Sequence, residues 1–236
     1  MRIKVDFSPN FSKKPRLRKD ISLVIIHYTG MQSEIESLNR LKNPLSKVSC
    51  HYFINRRGEV SQLVKDSHVA WHAGKSKWKN FINLNYNSIG IELQNRGHKF
   101  GYQTFSHKQI KNLIILCKKL KKKYHIKKDS FLGHSDIAPL RKIDPGEKFP
   151  WRNLSSHNLG VWYKNNRKLN LNYDKKNIKI IFFKNLKKLG YRYFDIFKRR
   201  ASDYKIIKSF QLRYLPKNVT GKIDKKTLKI SHFLAN

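Results

Sequence analysis

Acidic residues are scarce in this chain of 236: 15 Asp and Glu stand against 52 Lys and Arg, a formal charge of +37. Such a field draws polyanions, whether nucleic acid, anionic lipid or acidic wall polymer, and an AT-rich codon bias toward Lys, Asn, Ile, Phe and Tyr yields the same balance. Charge therefore names no function. Cysteine is nearly missing too. Cys50 and Cys117 exclude a disulfide framework, and Cys117 falls on an apolar helix face, where a thiol acts as a small hydrophobe. Long apolar runs are absent: stretches such as Leu23–Ile26 and Leu113–Cys117 are too short to cross a bilayer. The opening residues, MRIKVDFSPNFSKKPRLRKD, are basic but lack a signal-peptide core. The expectation is a soluble, cytoplasmic protein, with the periplasm as the alternative if export uses a signal not visible here. What is present is apolar residues at 39% and aromatics at 12%, which exclude a wholly disordered chain.

Along the chain, a Pro- and Lys-rich arm (1–20) precedes SLVIIHY at 22–28, a continuous apolar run of the kind found in a strand buried on both faces. Residues 51–54 and 60–64 flank Arg56-Arg57-Gly58-Glu59, a hairpin signal with solvated arginines at its tip. SIGIELQ at 88–94 is another strand. From Ser106 to Tyr124, Ile110, Leu113, Ile114, Cys117, Leu120 and Tyr124 recur at helical spacing, and Ser106 with Gln109 makes a capping box. Phe131-Leu132 begins a short strand leading to Gly133-His134. Strands interleaved with a long helix predict an α/β domain over 21–164, with a central mixed β-sheet flanked by helices. Asn-rich residues 165–174 then read as a linker. Ile178, Ile181, Phe182, Leu186 and Leu189 recur helically up to Gly190, and 203–215 and 224–234 supply two more helices. A small C-terminal helical bundle is expected over 175–236.

Three segments place a metal-competent side chain at or just after a strand: His27 in IIHYTG, His134 in GHSDIAP and Asp144 in RKIDPGEKFPW. Two imidazoles and a carboxylate are the ligand set of a catalytic zinc site that leaves a fourth position for water. Spacing alone is a weak signal, because ten histidines make chance pairs common. His51, in a strand, reads as structural. His68, His98, His107, His125, His157 and His232 belong to no motif.

HYT after a buried strand, AWHAG, SIGIEL, GHSDIAP and K-x-DPG-x-x-FPW occur in that order. Over residues 20–160 the chain resembles zinc-dependent N-acetylmuramoyl-L-alanine amidases of the AmpD/AmiD type, the amidase-2 family related to peptidoglycan recognition proteins. The resemblance implies Zn2+ on His27, His134 and Asp144, a catalytic Glu92 in SIGIEL and a catalytic Lys142 two residues before the aspartate. Beside it, the chemistry is coherent. Amide hydrolysis needs a base that takes a proton from water and returns it to the leaving nitrogen, and Glu92 among apolar strand residues suits a raised pKa. Lys142 suits an oxyanion near the metal. Tyr28, Trp71 and His72 are the expected substrate-binding residues, Trp71 as a stacking face and His72 as a hydrogen-bonding group. LKKLGY, IKSFQLRYLP and TGKIDKKTL are similar to a three-helix peptidoglycan-binding module, although the usual Asp-Gly pair is missing around 194–201.

The expected function is hydrolysis of the amide between N-acetylmuramic acid, or its anhydro form, and L-alanine of the stem peptide. The expected partners are peptidoglycan or muropeptide fragments, with no specific nucleic acid and no transmembrane segment. A non-catalytic peptidoglycan-binding protein on the same scaffold is one rival, although such relatives usually lack a metal ligand. A basic nucleic-acid-binding protein is the other, although no helix-turn-helix, zinc-finger or ribonucleoprotein motif supports it.

Overall fold

The computed structural model describes residues 1–163 and 177–236, so the linker expected at 165–174 lies outside the described residues. The strands are β1 (Ile3–Val5), β2 (Phe11–Ser12), β3 (Leu23–Tyr28), β4 (Tyr52–Ile54), β5 (Val60–Gln62), β6 (Val69–Ala70), β7 (Lys77–Trp78), β8 (Phe81–Ile82), β9 (Ser88–Leu93) and β10 (Phe131–Gly133). The helices are α1 (Glu34–Lys42), α2 (His107–Tyr124), the single turn α3 (His134–Ile137), α4 (Trp151–Ser156), α5 (Ile178–Leu189), α6 (Asp203–Tyr214) and α7 (Lys225–Ala235). Six strands form the central sheet in the order β1-β5-β4-β9-β3-β10. Only β4 and β5 pair antiparallel within it; Gly58, at φ +84°, supplies the left-handed residue that their turn requires. The sheet is therefore mixed and flanked by helices, as the alternation of patterns predicts.

The unbroken apolar run of β3 is explained by what covers each face. Val24 and Ile26 join Ile89, Ile91 and the Ile110, Leu113, Cys117 and Leu120 stripe of α2 in one core. Leu23 and Ile25 join Phe182, Leu186, Ile206 and Phe210 of α5 and α6 in a second. All four β3 residues are essentially solvent-free, and each such aliphatic side chain contributes roughly 1.5–3 kcal/mol through burial. Helix α2 starts where its capping box puts it: the Ser106 N–H donates to Gln109 Oε1 and the Gln109 N–H to Ser106 Oγ, each at 3.1 Å.

Two segments are more deeply integrated than their composition suggests. The basic arm contributes β1 to the sheet edge beside β5, and Arg16 is buried, donating to the carbonyls of Asp66, Tyr86 and Ser88. The three C-terminal helices lie directly on the sheet through the second core. No helix among the described residues is long and apolar enough to cross a membrane.

Candidate metal centre and active site

Strands β9, β3 and β10 run parallel, so their carboxyl ends share one rim of the sheet, the usual place for a site in such a fold. Along β3 the alternation that sends Leu23 and Ile25 to one face sends His27 the same way. On β9, Ser88, Gly90 and Glu92 share that face, and the register sets Glu92 directly beside His27. Gly133 pairs with Ile26, so His134, the first residue of α3, follows at the level of His27. The loop after α3 returns Asp144 to the same point, where its carbonyl accepts from the Ser135 N–H at 2.9 Å.

The three side chains converge. Nδ1 of His27 is 3.0 Å from Nδ1 of His134 and 3.1 Å from Oδ2 of Asp144, and the His134–Asp144 separation is also 3.1 Å. They are 1%, 3% and 7% exposed. A tetrahedral metal with bonds of about 2.0–2.1 Å sets its donors roughly 3.3 Å apart, so two ring nitrogens and a carboxylate oxygen turned on one another fit a divalent cation. Among the described residues this is the group of histidine, cysteine and acidic side chains with that property. Burial, followed by neighbouring His134, lowers the His27 pKa to about 4. Burial pushes the Asp144 carboxyl up, but the two imidazoles outweigh it and hold it well below the usual carboxylate range.

A cavity of about 340 Å³ opens over these residues and is also lined by Glu92 and Lys142. The Glu92 side chain is partly reachable, yet its Oε2 is out of solvent contact and has no hydrogen-bond partner. Burial, and then the Asp144 charge, push its carboxyl up to about 8 against the opposing charge of Lys142. A carboxyl tuned this near neutrality both accepts and returns a proton.

Tyr28, Trp71 and His72 line the same cavity, but in different ways. The Tyr28 hydroxyl lies 2.9 Å from His98 Nδ1 at the rim. Trp71 is held from behind, its indole N–H donating to Ser12 Oγ at 3.2 Å. His72 stands behind His27, 3.0 Å from its Nε2. Arg57 pairs with Glu34 and Glu59 and, with Arg56, lies outside the cavity lining, as solvated turn residues do. His98, which belongs to no motif, is drawn into the rim by Tyr28 and by Glu147 at 3.0 Å; it sits in a loop whose sequence has no period to mark it. Arg40, Lys99 and Arg141 also line the cavity, concealed in sequence by the abundance of basic residues.

Residues 17–147 match the family model for N-acetylmuramoyl-L-alanine amidase. The N-acetylmuramoyl-L-alanine amidase AmiD of Escherichia coli (strain K12) is 40% identical over 154 residues, covering 60% of this chain and 55% of that protein. The 1,6-anhydro-N-acetylmuramyl-L-alanine amidase AmpD of Haemophilus influenzae is 37% identical over 168 residues, covering 63% of this chain and 89% of that protein. The chain thus spans about half the length of the first of these relatives and most of the second. Among solved structures, E. coli AmiD in complex with anhydro-N-acetylmuramic acid-L-Ala-D-gamma-Glu-L-Lys superposes with a TM-score of 0.79 at 31% identity, covering 94% of this chain and 91% of that one. AmpDh3 of Pseudomonas aeruginosa superposes with a TM-score of 0.80 at 26% identity, covering 96% and 95%.

Proposed function

Because the chain belongs to the N-acetylmuramoyl-L-alanine amidase family, we propose that it hydrolyses the amide joining N-acetylmuramic acid, or its anhydro form, to L-alanine of a peptidoglycan stem peptide. The observation that carries this reading is the buried convergence of His27, His134 and Asp144 with Glu92 in register beside His27. The ligand found with E. coli AmiD, an anhydro-muramyl tripeptide, is the model for the substrate class.

His27 and His134 through Nδ1, and Asp144 through a carboxylate oxygen, are the residues that would hold zinc. Zinc bound there supplies a Lewis acid that polarises the amide carbonyl and lets water lose a proton near neutral pH. Glu92 takes the proton of the attacking water and later delivers it to the leaving nitrogen of L-alanine, which is why a pKa near neutrality matters more than a fully ionised carboxylate. Lys142, whose backbone N–H donates to the Ala138 carbonyl at 3.0 Å, lines the cavity, and its ammonium is the group to stabilise negative charge growing on the amide oxygen. Tyr28 and Trp71 form walls that orient the sugar and peptide.

The test is zinc content measured together with muropeptide digestion. Wild type should carry one zinc and release free stem peptide. Glu92→Gln should keep the metal and lose roughly 10²–10⁴-fold in rate, whereas His134→Ala should lose metal and rate together. Wild type that holds zinc yet leaves muropeptides intact would make this a binding protein; wild type without zinc would remove the metal reading.

A further inference from the structure

We propose that His72 is a positioning residue for the metal centre: with Ala73 it forms one short segment that fixes which nitrogen each of His27 and His134 offers to the metal. The proposal rests on the metal reading given above. It concerns the side of each imidazole that faces away from the cation.

The hydrogen-bond directions follow from a group that can only accept. The Leu84 carbonyl lies 2.6 Å from Ser88 Oγ, so the Ser88 hydroxyl donates to it. Ser88 Oγ lies 3.2 Å from His72 Nε2 and, its own proton spent, accepts from that N–H. A neutral His72 then has a bare Nδ1, which is 3.0 Å from His27 Nε2 and accepts from it. His27 is left with its Nδ1 lone pair directed at Asp144 and His134. The chain of four groups has one consistent proton pattern, and it frees the nitrogen that a cation requires.

His134 reaches the same state through the neighbouring backbone. Its Nε2 is 3.1 Å from the Ala73 carbonyl, again an obligate acceptor; Arg141 Nη2 lies 3.3 Å away but gives its protons to the nearer Ala73 and Lys75 carbonyls, so Nε2 carries the proton and Nδ1 is bare. The 72–73 segment is itself held: the N–H groups of His72 and Ala73 both donate to Asn85 Oδ1, at 3.1 and 2.6 Å, and Arg141 donates to the Ala73 carbonyl. On the sheet side the His72 ring lies over Gly90, where a Cβ would stand 2.3 Å from His72 Cγ. Only glycine admits the ring at that distance. Both ring nitrogens of His72 are committed within the protein, so neither is available to bond a substrate peptide.

The experiment measures zinc affinity of the apo-protein against a chromophoric chelator, and the absorption spectrum of the cobalt-substituted protein. It uses wild type, His72→Ala, His72→Asn and Ser88→Ala. His72→Ala should bind zinc 10–100-fold more weakly with an altered cobalt spectrum. His72→Asn, whose Oδ1 falls where Nδ1 stood, should recover most of the loss, and Ser88→Ala should show a smaller one. Should His72→Ala not fold, nitrogen-15 NMR of the zinc-loaded wild type decides: both ligand imidazoles should be protonated at Nε2, and a His27 protonated at Nδ1 overturns the proposal. Wild-type zinc affinity and cobalt spectrum in folded His72→Ala also overturn it, and with a raised KM they make His72 a substrate contact. Wild type that binds no zinc sinks the metal reading itself, a separate result.

Discussion

His27 and His134 meet at one point but are held by unlike means. His27 rides on β3, pairing directly with Glu92 of β9, while β10 pairs with β3 as far as Ile26, so ladders on both sides hold the strand that carries it. Its ring needs only rotational control, which His72 and Ser88 provide. His134 leaves an edge strand and begins a single helical turn that the sheet flanks on one side only. That turn is gripped from outside. Asp136, two residues on, accepts from the Gly133 N–H at 2.8 Å, from the Tyr191 hydroxyl at 2.6 Å and from buried Arg213. Arg213 also donates to the Phe131 carbonyl, and Ser209 Oγ to the Ser135 carbonyl. A ligand inside a sheet inherits its place from the ladder; a ligand at the edge needs props, and here the C-terminal helices supply them.

Four changes would break or sharpen this contrast. Arg213→Ala leaves the Asp136 carboxylate buried without its cation, and should cost 3–5 kcal/mol in denaturant unfolding while weakening zinc binding. Unchanged zinc affinity in the folded fraction would show that His134 does not depend on the helices. Gly90→Ala acts on the other side, driving a Cβ into the His72 ring, and should cost about 1–3 kcal/mol with a zinc defect like that of His72→Ala. Acid should weaken the protein through His51, whose Nδ1 accepts from the Gly90 N–H at 3.0 Å. Burial, and then the Arg16 charge, lower its pKa to about 3, whereas an unfolded histidine titrates near 6.5. The unfolded chain therefore takes up the proton first. Stability is complete above about pH 6.5 and falls as pH drops toward 3, with a slope approaching about 1.4 kcal/mol per pH unit for this group. Unfolding midpoints of the zinc-loaded protein between pH 7.5 and 4.5 should show it, and His51→Asn should lessen the slope. Tyr28→Phe, which removes a bond at the rim, should cost under about 1 kcal/mol and leave zinc affinity alone; loss of metal there would place Tyr28 in the support of His27.

Much of the architecture was legible because its causes are local. The apolar run at 22–28 announced a strand covered on both faces, Ser106 and Gln109 marked the start of α2, and Gly190 marked the end of α5, whose C-cap it is. The sequence-expected ligands His27, His134 and Asp144 do come together, with Glu92 and Lys142 at the same cavity. Less legible was anything that depends on what lies across a strand or a loop. His98 carried no motif, nothing set Arg16 apart within a basic arm, and the expectation that His72 faces substrate gave no hint that its ring also stands 3.0 Å from His27 Nε2.

The chain order alone determined which residues alternate, which recur every third or fourth position, and hence which strands and helices form and which side chains they carry, because those periods are properties of neighbouring backbone geometry. Tertiary structure decided the rest. Ser88, Gly90 and Asn85 have no chemical signature of their own. They matter only because β9 lies beside β3 in a register that sets Leu23 against Ser88 and His27 against Glu92, and because the 72–73 segment folds over that pair. A hydrogen bond forms or fails within a few tenths of an ångström. Placement that fine between residues 45 or more apart in the chain, such as His27 and His72, is fixed by packing and register and by no local pattern.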